Sequence, residues 1–463
     1  MTNAERQVTA ANRYKGQRML VVGLGLSGVS ALRYLARAGA DVVVTDSRAA
    51  PSGIDALRAE FPNFVFHLGA FSAPQPLTQF AEAIVSPGVS LDEPFVRELF
   101  DAAVPVVGDV ELFARAAGAT PVIGITGSNG KSTVTTLVGE MASAAGIKVA
   151  VGGNLGTPAI DLLADGVELY VLELSSFQLE TTHSLRCKAA TILNLSQDHL
   201  DRHGTMAHYG TVKARIFKGC EIAIINRDDA ATALNAASAS DGVRSFGLDA
   251  PQGSGQYGLV AQAGEPSLAA FEACAAAPSL LIQLGELRIF GLHNAANALA
   301  AIALADAVGI DRSSSLKALK AFGGLSHRCE FVGELKGVRY FNDSKGTNVG
   351  STLAALNGLP APIVWLGGGQ CKGQSFTELR EPLARQGRAA VLFGQDASLI
   401  ENDIIGALPI YREADMSSAL QRARILAQKG DQILLSPACA SFDQFRSYID
   451  RGDQFRAAVR ALV

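Results

Sequence analysis

The sequence predicts a protein of three α/β domains, because the chain is long, alternates apolar strands with helical stretches, and carries glycine-rich turns after several strands. At 463 residues the chain exceeds what one hydrophobic core serves, and roughly 100–200 residues per domain gives about three domains. Its 48% hydrophobic and 18% charged residues are typical of globular proteins. We place the domains at residues 1–118, 119–323 and 324–463.

The first domain is predicted to be an open, Rossmann-like α/β sheet. Its predicted strands are 19–22, 42–45, 84–86 and 104–107. Gly23, Gly25 and Gly28 have the G-x-G-x-x-G spacing at the first strand-to-helix turn, and Asp46 ends the next strand about 18 residues later. This pattern predicts a site for a diphosphate and a ribose, and by itself it leaves open whether the ligand is a dinucleotide or a nucleoside diphosphate.

The second domain opens with a predicted phosphate-binding P-loop at residues 124–133, as in nucleotide-hydrolysing domains. The loop follows an apolar run and precedes a helix with one apolar face. Gly127 and Gly130 let backbone N–H groups face phosphate oxygens, while Lys131 supplies a positive charge and Ser132 offers a hydroxyl to Mg²⁺. Ile125 stands where the strict pattern has Gly, and a plain Gly-Ser turn before a helix is the alternative.

Polar side chains at two further strand ends of the second domain predict metal and substrate ligands. Glu173 ends an apolar run and is expected to hold Mg²⁺, with an exposed strand-end acid as the alternative. His199 lies in a dense polar cluster and could bind a second metal or an acidic substrate. His203 and His208 are expected to face solvent.

Three other parts of the second domain carry no chemistry that their pattern alone predicts. Residues 246–278 are rich in Gly, Ala, Ser and Pro and are expected to form an irregular excursion at the sheet edge. The alanine-rich helix after Asn294 is expected to be buried on most sides. Lys213, in a helix predicted over 209–217, is expected from spacing alone to be a surface lysine.

The third domain repeats the α/β alternation, with predicted strands at 338–341, 363–366, 390–393, 409–411 and 432–435. Several of these strands end in polar or glycine-rich turns, where ligands of open α/β sheets bind. Charged residues flank the turns and suit a transferring phosphoryl group and a carboxylate substrate: His327, Arg328, Asp343, Lys345 and Lys372. Surface salt bridges are the alternative interpretation.

Composition and charge argue against several classes of protein. The net charge of −4 and the lack of a basic cluster make nucleic acid an unfavourable partner. Residues 1–17 contain no apolar signal-peptide core, and the most apolar helical stretch ends at Asp306, too short for a membrane span. The six scattered cysteines indicate free thiols in a reducing cytoplasm, with a zinc site built from distant segments as the alternative.

Seven motifs of the chain, taken together, resemble the Mur ligases. They are residues 124–133, 173–180, 194–202, 291–294, 327–328, 342–348 and 436–445. The resemblance runs from about Val21 to the C-terminus and implies an ATP-dependent ligase of cytoplasmic peptidoglycan synthesis, and so of cell-wall biogenesis, cell shape and cell division. The most similar member implies that ATP phosphorylates the carboxylate of UDP-N-acetylmuramoyl-L-alanine. The amine of D-glutamate then attacks the acyl phosphate, and ADP, phosphate and an amide are formed.

The resemblance also implies the ligands of each site residue by residue. The first-domain glycine loop would hold UDP rather than a nicotinamide cofactor, and the residues around the UDP substrate would be Leu26, Ser27, Asp46, Ser47, Arg48, Gly88, Asn154, Gln178 and His199. ATP would be held by Gly127, Ser128, Asn129, Gly130, Lys131, Ser132, Thr133, Asn294, Asn297, Arg328, Asp343 and Lys345. Two Mg²⁺ sites would use Ser132, Glu173, His199 and a carbamylated Lys213. D-Glutamate would be bound by Thr347, Lys372, Ser441, Phe442 and Tyr448. The residues implied in catalysis are Lys131, Glu173, His199, Lys213 and Lys345. The resemblance also implies a monomer whose partners are small-molecule substrates.

Some residues depart from the family pattern and leave the acceptor amino acid open. Gln370 stands in place of an acid, Tyr448 in place of Phe, and Cys329 in place of Phe. A sibling ligase that adds another amino acid is therefore one alternative, although the Asp-Asn-Pro-Arg motif of the diaminopimelate-adding members is absent. An NAD-dependent oxidoreductase built on the first domain and a non-enzymatic nucleotide switch are the others.

Overall fold

The computed structural model describes residues 13–262, 264–371 and 373–462, which form three sheets in chain order. The prediction of a three-domain α/β protein is confirmed. The central strands of each sheet are buried between helices, which is why strands such as β1, β6 and β17 are nearly continuous apolar runs rather than alternating patterns.

The first sheet is entirely parallel, in the order β3-β2-β1-β4-β5. Its strands are β1 (Arg18–Val22), β2 (Asp41–Asp46), β3 (Val65–Leu68), β4 (Glu82–Val85) and β5 (Val106–Val107). The helices are α1 (Leu26–Arg37), α2 (Ile54–Glu60), α3 (Pro94–Asp101) and α4 (Asp109–Ala116). Because β1 lies at the centre, the turn between β1 and α1 opens at the middle of the carboxyl edge.

The central sheet has nine strands in the order β14-β13-β12-β11-β10-β9-β6-β8-β7. They are β6 (Val122–Thr126), β7 (Val149–Gly153), β8 (Leu169–Glu173), β9 (Ala189–Ile192), β10 (Ile222–Asn226), β11 (Val243–Phe246), β12 (Gln256–Gln262), β13 (Glu265–Phe271) and β14 (Ser279–Gln283). The helices are α5 (Lys131–Ala144), α6 (Ser176–Glu180), α7 (Leu200–His203), α8 (Met206–Ala214), α9 (Leu292–Ala307) and α10 (Arg312–Ala321). The strand β6 lies between β8 and β9, with Ile125 opposite Glu173 and Thr191.

The third sheet has the order β15-β16-β20-β17-β18-β19, antiparallel only between β15 and β16. Its strands are β15 (Glu330–Leu335), β16 (Val338–Asn342), β17 (Ile363–Gly368), β18 (Gly387–Phe393), β19 (Ile410–Arg412) and β20 (Gln432–Leu435). The helices are α11 (Val349–Gly358), α12 (Arg380–Gln386), α13 (Ala397–Ile404), α14 (Met416–Leu426) and α15 (Tyr448–Arg460).

The prediction for residues 246–278 is wrong in one respect. The segment contains β12 and β13, which pair antiparallel and extend the central sheet instead of forming an irregular excursion. Tyr257, Leu268 and Ala270 are buried, and the Tyr257 hydroxyl donates to Asp306 Oδ2 at 2.8 Å. Alanine and serine alternate here with too few large apolar side chains for the strand period to be visible in the sequence. Five further strands, β3, β7, β11, β14 and β15, also have no counterpart among the predicted strands.

The described residues include no helix with the length and apolar composition needed to cross a bilayer. The longest apolar helix, α9, is buried on most of its surface against α5 and α10, as the sequence predicts.

Candidate active site

The glycine loop between β6 and α5 has the backbone conformation of a phosphate cradle. Gly127 has φ 146° and Gly130 has φ 83°, values that side-chain-bearing residues rarely adopt. A Cβ atom at Gly130 would lie 2.4 Å from Asn297 Oδ1, so only glycine fits against α9. Lys131 Nζ donates to the carbonyl oxygens of Gly127 and Ser128, each at 2.8 Å. The lysine therefore folds back over the loop, where an incoming triphosphate meets its charge.

Glu173 is a buried carboxylate beside this loop. Ser132 Oγ donates to Glu173 Oε2 at 2.6 Å, and Asn154 Nδ2 donates to Oε1 at 2.7 Å. Arg328 of the third domain donates to Ser132 Oγ at 2.6 Å. Although Glu173 is only 3% exposed, no described lysine, arginine or histidine forms an ion pair with it. A buried carboxylate whose hydrogen-bond donors are neutral keeps a negative charge that a cation can compensate. The Ser132 and Glu173 oxygens are therefore suitable ligands for Mg²⁺.

A cavity of about 600 Å³ opens between the central and third domains. It is lined by every residue predicted for ATP except Gly127, and also by Asn154, Glu173, His199, Thr347 and Tyr448. Side-chain hydrogen bonds between described residues join the two domains around it. They include Arg328 to Ser132, Ser351 Oγ donating to Asn129 Oδ1 at 2.6 Å, and Asn348 Nδ2 donating to Asp198 Oδ2 at 3.4 Å. The third domain therefore forms one wall of the cavity and is held to the central domain beside it.

Asp343 and Lys345 occupy the third-domain wall of the cavity. Asp343 accepts hydrogen bonds from Ser436 Oγ at 2.7 Å and from the Cys329 amide at 3.1 Å. Burial raises the pKa of Asp343 to about 7, although these bonds and Arg328 oppose the shift. The Lys345 ammonium lies 4.2 Å from the centre of the Tyr448 ring, a cation–π contact that directs it along the cavity wall.

His199 and His203 lie in different environments although they are four residues apart. His199 has φ 52° and lines the cavity, with Nε2 3.6 Å from Asp198 Oδ2. His203 is buried, so the prediction that it faces solvent is wrong, whereas His208 is exposed as predicted. His203 packs on Phe177 and its Nε2 lies 2.9 Å from Ser176 Oγ. Burial, with the nearby charges, lowers the pKa of His203 to about 4, so the ring is neutral at pH 7.

Lys213 lies beneath the glycine loop and is only 2% exposed, so its interpretation as a surface lysine is wrong. Its Nζ donates to Gly127 O at 3.0 Å and to Thr126 Oγ1 at 3.2 Å, and lies 4.7 Å from the Tyr209 ring centre. Burial, together with the Lys131 charge, holds the pKa of Lys213 well below the usual lysine value. A helix-pattern argument could not find this site, because the burial comes from the loop packed above it.

A second cavity, of about 750 Å³, lies at the carboxyl edge of the first sheet. It brings together eight of the residues predicted for the UDP substrate: Leu26, Ser27, Asp46, Ser47, Arg48, Gly88, Asn154 and Gln178. His199, the ninth, lines the other cavity. Burial favours a higher pKa for Asp46, but the Arg48 guanidinium and the Leu24 and Arg48 amides outweigh it and lower the pKa to about 2. Asn154 and Gly156 line both cavities, so the two sites meet there.

Comparison with known proteins assigns all three domains. Residues 17–108 match the family model described as the N-terminal domain of MurD-like Mur ligases, residues 125–305 match the Mur ligase middle domain, and residues 327–439 match the Mur ligase glutamate ligase domain. The chain belongs to the Mur ligase family. Two relatives are both named UDP-N-acetylmuramoylalanine–D-glutamate ligase. The protein of Methylobacillus flagellatus is 50% identical over 97% of this chain and 98% of its own. The protein of Pseudomonas aeruginosa is 50% identical over 96% and 98%.

Solved structures share the fold of this Mur ligase at low sequence identity. A pseudomurein peptide ligase type C from Methanothermus fervidus has a TM-score of 0.61 and 16% identity, over 97% of this chain and 100% of that one. A UDP-N-acetylmuramate-alanine ligase from Thermotoga maritima has a TM-score of 0.58 and 18% identity, over 96% and 100%. At these identities the likeness concerns the arrangement of the three domains alone.

Two of the four described residues predicted for D-glutamate line the cavity between the domains of this Mur ligase. Thr347 and Tyr448 line the cavity between the domains. Ser441 is buried and Phe442 is 71% exposed, and neither belongs to the described lining of that cavity. Lys372 lies outside the described residues. The assignment of these five residues stays a prediction.

Sequence reasoning missed several residues that line the cavity between the domains. They include Asn226, Asp228, Phe246, Leu248 and His293. Asn226 and Phe246 end β10 and β11, so the rule that ligands bind at the carboxyl ends of parallel strands could have found them. His293 adjoins the predicted Asn294, but no spacing rule singles it out.

Proposed function

We propose that this Mur ligase joins D-glutamate to UDP-N-acetylmuramoyl-L-alanine at the expense of ATP, giving ADP and phosphate, in cytoplasmic peptidoglycan synthesis. The observation that carries the proposal is the meeting of the two cavities at Asn154, whose amide is bonded to Glu173. A UDP-linked substrate in the first-domain cavity can extend its carboxyl end past Asn154 to the phosphate end of the other cavity. The names of the full-length relatives support this choice of substrates.

The first chemical step joins two anions, so the chain must neutralise both. The carboxylate of the UDP substrate attacks the γ-phosphorus of ATP, the bond to the β-phosphate oxygen breaks, and ADP leaves. Lys131, Arg328 and Lys345 line the cavity and supply three positive charges where negative charge collects. Arg328 also holds the Ser132 hydroxyl, which fixes the third domain against the phosphate loop.

The second step forms the amide. The free amine of D-glutamate attacks the carbonyl carbon of the acyl phosphate, phosphate leaves, and the amine loses a proton. Thr347, Lys345 and Tyr448 line the third-domain wall on which the amino acid is proposed to bind, with Lys372 as a carboxylate partner. The third domain, which side-chain hydrogen bonds hold against the central domain, is proposed to shield the acyl phosphate from water, the competing nucleophile.

Ser132, Glu173 and His199 are proposed to hold Mg²⁺, which would neutralise triphosphate charge when bound. Lys213 is proposed to react with CO₂ as its neutral amine, giving a carbamate that serves as an anionic ligand. The buried Nζ and its lowered pKa support this, because only the unprotonated amine reacts. With ¹³C-labelled bicarbonate, NMR should show one carbamate resonance that is absent in Lys213→Ala. A spectrum unchanged by this substitution would remove Lys213 from the proposal.

The test of the function is phosphate release from ATP with the UDP substrate and Mg²⁺. D-Glutamate is compared with L-glutamate, L-alanine and no amino acid, and the product is identified by mass spectrometry. Release with D-glutamate alone supports the proposal. Release with another acceptor would support a ligase that adds a different amino acid. No release with any acceptor would contradict the proposed function. The protein is proposed to work as a monomer, as the resemblance to the family implies.

A further inference from the structure

Cys371 and Cys439 face each other across a short antiparallel contact in the third domain. Gln370 and Ala440 exchange two backbone hydrogen bonds, N to O and O to N, each at 3.0 Å. This makes them a hydrogen-bonded antiparallel pair. The next residues on each side, Cys371 and Cys439, are then directly opposite in a non-hydrogen-bonded pair, for which Cα atoms are about 4.5 Å apart. That distance lies inside the range of about 4.4–6.8 Å that a disulfide spans.

The side chains of Cys371 and Cys439 bring the two sulfur atoms into contact. The two Sγ atoms are 3.0 Å apart, closer than the ~3.5–4.0 Å optimum for non-bonded heavy atoms. Gly369, with φ 133°, makes the approach possible, because a Cβ atom there would lie 2.2 Å from Ala440 O. Both segments are also anchored from outside. Asp396 Oδ2 accepts from the Cys371 amide at 2.7 Å, and the Arg451 guanidinium donates to Cys439 O at 3.2 Å.

The two thiols differ in their access to solvent. Cys371 is half-buried, whereas Cys439 is fully buried in the third-domain core. The hydrogen bond with Cys371, and then burial, raise the pKa of Cys439. Cys371 is therefore the thiol that an oxidant reaches first, and Cys439 is the one placed to resolve it.

We propose that Cys371 and Cys439 are a modification site, at which a peroxide converts the two thiols to a disulfide that reversibly lowers ligase turnover. The Cys371 sulfur attacks the peroxide, the O–O bond breaks, and the sulfur is oxidised to sulfenic acid as one water forms. The Cys439 sulfur then displaces the hydroxyl group, and its proton leaves in a second water. In total, two thiols and one peroxide give one disulfide and two waters.

The expected effect on turnover follows from the residues that come after each cysteine in the chain. Lys372 comes directly after Cys371, and Ser441 and Phe442 come two and three residues after Cys439. The resemblance assigns all three to D-glutamate, so the effect on turnover rests on the proposed function, whereas formation of the bond does not. Closing a 3.0 Å contact to a bond of about 2.05 Å draws the two sulfur atoms together by roughly 1 Å, and a shift of that size passed on to a substrate-binding residue can cost up to about 100-fold in rate.

The experiment treats the full chain with hydrogen peroxide and maps its peptides by mass spectrometry without reduction, beside D-glutamate-dependent phosphate release. The variants are Cys371→Ser, Cys439→Ser and, as control, Cys274→Ser, which removes an exposed thiol away from this contact. We expect a linked 371–439 peptide, turnover lowered at least about tenfold, and recovery with dithiothreitol. Cys371→Ser should keep its turnover and form no link, and Cys274→Ser should behave as the wild type. Cys371 is half-buried, so Cys371→Ser is expected to fold. This variant therefore tests whether the disulfide forms between residues 371 and 439 even if Cys439→Ser fails to fold.

Two results would overturn the proposal. One is oxidation at Cys274 with no linked 371–439 peptide, which would show that the oxidant acts but the pair does not join. The other is the linked peptide with unchanged turnover, which would overturn the effect on the reaction. If the reduced protein releases no phosphate, the proposed ligase function fails, and the peptide map still decides whether the bond forms.

Discussion

The two cavities of this Mur ligase are built in different ways. The 750 Å³ cavity follows the carboxyl edge of a single sheet, with a smaller contribution from the central domain. The 600 Å³ cavity exists only where the central and third domains meet, and residues nearly 200 positions apart, Ser132 and Arg328, are in contact there. The first site can therefore bind its ligand whatever the third domain does, whereas the second needs the third domain in place. Binding of the UDP substrate and transfer of the phosphoryl group should respond to different mutations.

The largest effect is expected from Lys131→Ala. The substitution removes a charge from the triphosphate and two hydrogen bonds that shape the loop, so phosphate release should fall about 1,000-fold. Calorimetric binding of the UDP substrate should be unchanged, because Lys131 does not line that cavity. Lys148→Ala, which removes an exposed lysine of the same domain, is the control and should leave both measurements unaltered. Turnover of Lys131→Ala near that of the wild type would refute the phosphate-loop assignment.

The next largest effects are expected from substitutions at the contacts between the central and third domains. Arg328→Ala should lower kcat/KM for ATP about 100-fold, because it removes a charged donor at the phosphates and loosens the third domain. Ser351→Ala removes one neutral hydrogen bond to Asn129 and should cost about tenfold or less. Steady-state kinetics with each substrate varied in turn would separate these effects. If either variant lost as much affinity for the UDP substrate as it loses in kcat/KM for ATP, the two cavities would not act independently.

Asp46→Ala should act on the first cavity alone. Asp46 fixes the glycine turn through the Leu24 amide and orients Arg48, so its loss should raise KM for the UDP substrate about tenfold. The kcat and the KM for ATP should stay near wild-type values. Asp41→Ala, at the exposed start of the same strand, is the matched control. A fall in kcat with KM unchanged would place Asp46 in the chemistry instead.

The smallest expected effect concerns pH and stability. Burial raises the pKa of Asp109 in the first domain to about 6 and that of Asp343 in the third to about 7. A carboxyl whose pKa is raised in the folded state stabilises fully below its unfolded pKa of 3.8, and this stabilisation is lost as pH rises through the folded value. Asp109→Asn should therefore flatten the fall of Tm between about pH 4 and pH 6 by about 2–4 °C, measured by scanning calorimetry. Asp343→Asn should flatten the fall of Tm between about pH 4 and pH 7, and a Tm profile whose slope neither substitution changes would contradict the assignment.

The difference between the cavities also marks what the sequence could predict. The glycine turns after β1 and β6 are local, so their residues were found from spacing alone, and Glu173 was found because it ends a neighbouring strand. The buried positions of His203 and Lys213 depend on side chains packed from other elements, which a helix pattern does not contain. Phe246 was missed because it begins the segment that was taken as irregular, and the cysteine pair was missed because Cys371 and Cys439 meet only through folding.

The central claim is that the two cavities meet so that a substrate carboxylate can attack ATP. The most direct measurement uses UDP-N-acetylmuramoyl-L-alanine with ¹⁸O in its carboxylate, and mass spectrometry of the phosphate released in the presence of D-glutamate. If the carboxylate attacks the γ-phosphorus, one labelled oxygen stays with phosphorus when the amine displaces it, and the phosphate should contain one ¹⁸O. Unlabelled phosphate alongside the ligated product would contradict the account, because the phosphoryl group would then never have been joined to the substrate carboxylate.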